Sequence, residues 1–334
     1  MKLFIFSAFF SLLLFNACKD KIVEPEPTDL NVWEKVADLP GYPKFIDFKD
    51  NKIYMVYYSS GYKFGVSNDG AKSWQEYNLD FQVNDNGFLN VDGDIFFISS
   101  TDGLYKSTDE GVTWNEDIAL RNYIDPVSSI PLLTSMTVDG SNIYLGQFAT
   151  NMPMHVRGIL FSSDNGQSWS SPDGFPWRVI GIEKIGSVVL FINFIIHYSA
   201  DNLNTWYDAS GVEQFEIESF DKINSRVYGI GYKTIKYSDT YGTIWQNCTN
   251  GLNISNNKSL IHSTLSHTTD KLFILHSDGV IHYSFQDNIE WKVFDSDLPA
   301  YNPFPYENQS LFTLDDEYLY YISENKLWRK KISD

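Results

Sequence analysis

Residues 107–114, STDEGVTW, and 162–169, SSDNGQSW, are two complete copies of one octapeptide, Ser-x-Asp-x-Gly-x-Ser/Thr-Trp. Four more copies are partial: SNDGAKSW at 67–74, SADNLNTW at 199–206, SDTYGTIW at 238–245 and SFQDNIEW at 284–291. Their tryptophans, at 74, 114, 169, 206, 245 and 291, stand 40, 55, 37, 39 and 46 residues apart. Such a period marks a repeat architecture, because one unit of four short strands cannot bury its own faces and must stack on neighbours. The spacing holds four strands with loops of variable size, and no helical period of that length occurs.

The octapeptide reads as a hairpin turn. Ser and Asp oxygens accept backbone N–H groups and Gly supplies a positive φ. Tryptophan then opens the next strand, its apolar face plugging the seam between units while the indole N–H finds a carbonyl. The turn positions are Ser67, Asp69 and Trp74; Ser107, Asp109, Gly111 and Trp114; Ser162, Asp164, Gly166 and Trp169; Ser199, Asp201 and Trp206; then Trp245 and Trp291. In these residues the chain resembles the Asp-box, or bacterial-neuraminidase-repeat, family of β-propellers.

An apolar pair precedes each box, and it recurs seven times: Ile53-Tyr54, Ile95-Phe96, Ile143-Tyr144, Val188-Val189, Val227-Tyr228, Leu272-Phe273 and Leu319-Tyr320. The seventh unit ends in LWRKKISD without a box, so its outer strand is expected from the N-terminal VWEKVADLP around Trp33. That splice removes the open edge. The expected fold is all-β, a single seven-bladed β-propeller of four-stranded blades over 32–334, closed by an N-terminal strand around Trp33.

Residues 1–18 are a different object. Lys2, an apolar run from Leu3 to Phe15 and then Asn16-Ala17-Cys18 are too short to span a bilayer and resemble a bacterial lipoprotein signal, with lipid on Cys18. An ordinary signal peptide cut nearby is the alternative. Either way the domain is expected to leave the cytoplasm, and 19–31 is a polar, Pro-containing tether. The expected place is the bacterial cell envelope, on the outer membrane, facing the periplasm or the surface, with the membrane touched through the lipid alone. Cys248 then has no disulfide partner and reads as a buried small hydrophobe.

The 43 acidic and 25 basic residues give a net charge of −18, and the basic residues are diluted everywhere except the terminal RKK. Phosphate contacts need clustered cations, so nucleic acid is an unsuitable partner. Neither a cofactor nor a metal is expected, and the chain is expected to act as a monomer.

Ligand chemistry concentrates in the longer loops on the face opposite the boxes: Arg121 and Tyr123 before blade three, His155 and Arg157 within it, and Tyr301, Phe304 and Tyr306 before blade seven. Trp177 and Arg178, at the start of blade four, belong to the same face. Exposed aromatics beside guanidinium groups suit recognition of sugars, carboxylates or a protein strand. Such loops also pack their own aromatics as small cores.

The resemblance to sialidases implies three arginines for a substrate carboxylate and a Tyr nucleophile. Here only Arg121, Arg157, Arg178, Arg226 and Arg329 exist, blade one has none, and the Arg-Ile-Pro signature is absent. Xyloglucan-cleaving relatives place their carboxylates between two propellers, and this chain has room for one. Photosystem II assembly-factor propellers, which carry degenerate boxes and bind protein, are similar in size and organisation. These comparisons leave a non-enzymatic module binding a glycan or an envelope or extracellular protein as the leading expectation, with a divergent glycoside hydrolase as the alternative.

Overall fold

A computed structural model describes residues 32–50, 52–85, 87–124, 132–148, 158–172, 178–231, 233–252, 266–268, 270–276, 279–299, 312–314 and 317–332. Cys18, the signal and the tether lie outside these residues.

Seven antiparallel sheets follow one another as blades: 42–78, 89–116, 132–170, 181–208, 219–247, 266–295, and 312–331 joined by 34–38. Blade one shows the pattern, with strands Tyr42–Lys49, Lys52–Tyr58, Tyr62–Ser67 and Gln75–Asn78 in sequence order. First strands of blades one and two, two and three, three and four, four and five, six and seven, and seven and one touch, which puts them innermost around the axis. Blade three has three strands, and its fourth is reduced to a bridge between Phe161 and Ser170.

Each second strand is buried on both sides, so it reads as a continuous apolar run rather than an alternation. Side-chain direction still alternates. In blade one Ile53, Met55 and Tyr57 enter the seam with blade seven, while Tyr54 and Val56 enter the seam with blade two. The same division repeats around the ring and yields seven seam cores, one per junction. Each fully buried large apolar side chain contributes roughly 1.5–3 kcal/mol. The ladders place the repeated pair one residue later than the sequence alignment in two blades. Phe96 and Val189 face the box serines Ser107 and Ser199, as Ile53 faces Ser67.

Closure occurs where the sequence indicated. Strand Glu34–Asp38 adds to Lys326–Lys331 as the fourth strand of blade seven. A buried ion pair locks it: Lys330 of blade seven reaches Asp295 of blade six, and the same carboxylate accepts Trp33 Nε1–H at 3.2 Å. Glu34 pairs with Arg329 at the strand itself.

Five boxes share one turn. The serine hydroxyl accepts the N–H of the fifth residue at 2.8–2.9 Å in all five: Ala71, Gly111, Gly166, Leu203 and Gly242. In the first four the aspartate takes the N–H and hydroxyl of the seventh residue, as Asp109 does from Thr113 at 2.9 and 2.6 Å. Residues four and five of every one are left-handed, from Tyr241 at φ 54° to Gly111 and Gly166 at 85°. Box four therefore holds Leu203 at φ 70°, and box five substitutes Thr240 Oγ1 for the carboxylate. Box six is gone. Its Ser284 hydroxyl accepts Glu290 N–H, and Phe285 pairs with Asn288 in a tighter hairpin.

These bonds favour the ionised carboxylate. The Ser73 hydroxyl and N–H hold Asp69 down to about 2, and Ser168 does the same for Asp164. A depressed folded-state pKa gives stability that is present above the ordinary value of 3.8 and lost as pH falls towards 2. Asp164→Asn is thus expected to lower the melting temperature at pH 7 and to narrow its gap from the parent protein between pH 4 and pH 2. An unchanged gap across that range, by calorimetry, would remove the box aspartates from the acid limb.

Cys248 is buried in the seam of blades five and six, its thiol donating to Ile235 O at 3.3 Å. Burial pushes it up to about 12, so thiolate chemistry is suppressed.

Candidate functional site

Because strands alternate in direction, the boxes occupy one end of the ring. Connections between second and third strands, and from each blade to the next, occupy the other. Val32 and Ile332 also lie at the box end, beside Trp33 and the turn at Glu317.

The sequence-selected residues separate on this face. His155, Arg157, Trp177, Tyr301, Phe304 and Tyr306 lie outside the described residues. Arg121 and Tyr123 sit on the helix Ile118–Ile124, which starts where Asp117 Oδ1 caps the N–H of Leu120 at 2.8 Å. Arg121 Nε–H pairs with Glu116 at 2.6 Å, and Tyr123 packs on the seam core of blades two and three beside Leu120 and Ile124. Burial holds Asp117 above its ordinary value even as Trp169 Nε1–H and the Leu120 N–H bond to it. Arg178 differs. Its backbone bridges Phe148, and its guanidinium lies 5.3 Å from the Phe148 ring centre and 6.0 Å from that of Phe194.

Three tyrosines of blade one escaped the sequence reading. Tyr42 faces Tyr58 and Tyr58 faces Tyr62 across successive ladders, so they form one row at the insertion end. Tyr42 is 67% and Tyr58 47% exposed, with the Tyr58 and Tyr62 rings 5.3 Å apart at 74°. The lysines beside them are neutralised, Lys44 by Asp85 and Lys63 by Glu76. Phe215, in the connection from blade four to blade five, is 68% exposed and meets Phe194 at 5.1 Å. Loop length gave no signal for any of these; the cluster Tyr57-Tyr58-Ser-Ser-Gly-Tyr62 could have.

Around the axis the ladders place a polar residue at one level of every first strand. Asp47, Asn90, Thr137, Glu183, Asp221, Ser266 and Thr313 pair with Tyr54, Phe97, Tyr144, Leu190, Tyr228, Phe273 and Tyr320. Asp47 is raised by burial, against the pull of the Phe48 N–H and of Lys49. Glu183 is raised by burial, against Lys222 and the Thr137 hydroxyl. Asp221 keeps some accessible surface, but it sits so deep that burial, reinforced by the Glu183 charge, pushes it up to about 7. Among the described residues no three His, Cys, Asp or Glu side chains gather to hold a metal ion.

No protein-family model matches the sequence, and no curated protein matches it. Solved structures do. YCF48 bound to D1 peptide is 14% identical with a TM-score of 0.64, over 91% of this chain and 97% of that one. The extracellular domain of the putative one-component system BT4673 from B. thetaiotaomicron is 10% identical with a TM-score of 0.60, over 90% and 40%. The GH74 xyloglucanase from Xanthomonas campestris is 12% identical with a TM-score of 0.55, over 87% and 57%. The likeness is one of fold: this chain is a β-propeller. Fold alone does not carry activity across such distances.

Proposed function

We propose that the protein is a non-enzymatic, lipid-anchored recognition module of the bacterial envelope that binds a glycan or protein partner through its insertion face. The observation that carries this reading is the contrast between the two ends of the ring. At the box end the four aspartates and their serine and threonine partners satisfy one another. At the insertion end Tyr42, Tyr58 and Phe215 present rings to solvent, and rigid aromatics are the side chains that anchor interfaces at low entropic cost. The peptide held by the similar YCF48 propeller supports the idea of a docking platform.

A hydrolase is the second reading, favoured by one feature: Glu183 and Asp221 are carboxylates at the same level of adjacent first strands, with the Glu183 charge raising Asp221. A carboxyl group raised by burial beside a second carboxyl group is the kind of pair from which glycoside hydrolysis draws its acid and base.

The test is a pull-down from envelope fractions and a glycan panel, with released sugar assayed from the same glycans. Retention is expected to fall about tenfold or more in Tyr42→Ala/Tyr58→Ala, the loss of a central aromatic anchor, and to be unchanged in Val112→Ala at the box end. Retention lost only in Val112→Ala would overturn the choice of face. Sugar release that disappears in Asp221→Asn would replace the binding reading with the hydrolase.

A further inference from the structure

The surroundings of Arg178 contain three features that the fold does not require. Arg178 Nε is buried and has no acceptor, and Asn193 Oδ1, on the residue before Phe194, is buried and has no donor. Buried polar atoms left unpaired are rare in native proteins and call for a missing partner. Phe215 is the third. It holds a left-handed backbone at φ 60° while 68% exposed, its N–H donating to Phe194 O at 2.6 Å. A bulky aromatic in that conformation is an outlier, and strain of this kind collects at ligand sites.

We propose that Arg178, Asn193 and the rings of Phe148, Phe194 and Phe215 form a subsite for an uncharged pyranose unit of a glycan; the proposal rests on reading the insertion face as a recognition surface. A sugar hydroxyl both donates and accepts, so neighbouring hydroxyls can answer the Arg178 donor and the Asn193 acceptor together. Phenyl faces take the apolar C–H face of the ring. A carboxylate would satisfy Arg178 but meet the lone pairs of Asn193 Oδ1. It would also approach the segment that carries Phe215, which holds Glu213, Glu216 and Glu218, in a chain of net charge −18. A cationic ligand would meet the guanidinium. A peptide added as a strand needs an open edge, and the edge here is already used by the bridge between Phe148 and Arg178.

The experiment is titration calorimetry of the purified protein with neutral gluco-, xylo-, manno- and chito-oligosaccharides, uronate oligosaccharides and acidic peptides. A neutral oligosaccharide is expected to bind with an affinity that changes little between about 0.05 and 0.5 M salt, since no ion pair is screened. Arg178→Lys, which keeps the charge and most of the packing but loses the planar Nε–H, is expected to weaken it about tenfold, as is Phe215→Ala, whose exposed position leaves folding intact by circular dichroism. Neutral-sugar binding that survives both changes overturns the subsite. Salt-sensitive binding of uronates or peptides alone overturns the ligand class. If no neutral sugar binds while Tyr42→Ala/Tyr58→Ala still abolishes the envelope pull-down, this inference fails and the recognition surface stands. Neutral-sugar binding abolished only by box-end changes removes both.

Discussion

Asp295→Ala is expected to lower the unfolding free energy by roughly 3–5 kcal/mol, because it leaves the Lys330 ammonium buried without its counter-charge. Both side chains are almost fully covered, at 4% and 7% exposure. Asp295 also holds Trp33 Nε1–H and, through Oδ1, the N–H of Asp297 at 2.7 Å. One carboxylate thus joins blade six, blade seven and the strand that closes the ring. Urea unfolding followed by circular dichroism measures the loss, and the double change Asp295→Ala/Lys330→Met separates causes. Removing both charges should recover most of the stability, since an apolar replacement of a buried pair is often neutral. A single-variant loss below about 1 kcal/mol, the level of an exposed pair, would mean that the ring is closed by the strand ladder alone.

Trp245→Ala is the second large effect, an expected loss of about 3–5 kcal/mol for a buried aromatic emptied from a packed seam. Trp245 is 4% exposed, donates its indole N–H to Gly242 O at 2.7 Å and stacks on Phe220 at 5.9 Å and 16°. Its ring lies over Gly229, where a Cβ would come within 3.0 Å of it. Ile217 belongs to the same seam core and stands two residues from Phe215, so ligand affinity is expected to fall together with stability. Trp74 provides the contrast. It also covers a glycine, Gly65, but is partly exposed and its indole N–H is buried without a partner. Trp74→Phe is therefore expected to lose far less. Equal losses in the two variants, measured in the same denaturant series, would show that seam plugging does not scale with burial.

The architecture was legible because it is written repeatedly. A box that has lost its aspartate still announces itself through its serine, its tryptophan and the apolar run before it, and the boxless seventh unit was found by its strand. What the repeat could not convey was local tolerance. Leu203 takes the glycine position of box four without changing the turn, because the serine and aspartate bonds fix a left-handed pair firmly enough to carry a side chain. Blade three shrinks its outer strand to a bridge, and nothing in SSDNGQSW foretells it.

The site was legible only in part. Loop length selected Arg121 and Tyr123, which the helix turns towards Glu116 and the seam core, whereas Arg178 was selected by its place at the start of blade four. Phe194 and Phe215 occupy connections of ordinary length, and Tyr42 and Tyr58 are end residues of the strands Tyr42–Lys49 and Lys52–Tyr58. Their exposure follows from ladder register and from a single positive φ, which depend on partners far away in sequence.

The closing strand also sets how the ring bears load. Val32 lies at the box end, so a pull between the chain before Val32 and the insertion end runs along the axis of Glu34–Asp38. Pulled that way, the ladder to Lys326–Arg329 is strained in shear, with its bonds resisting together rather than unzipping in turn, and the bond from Trp33 to Asp295 stands first in line. Tension in that direction would be met by the joint that keeps the propeller shut.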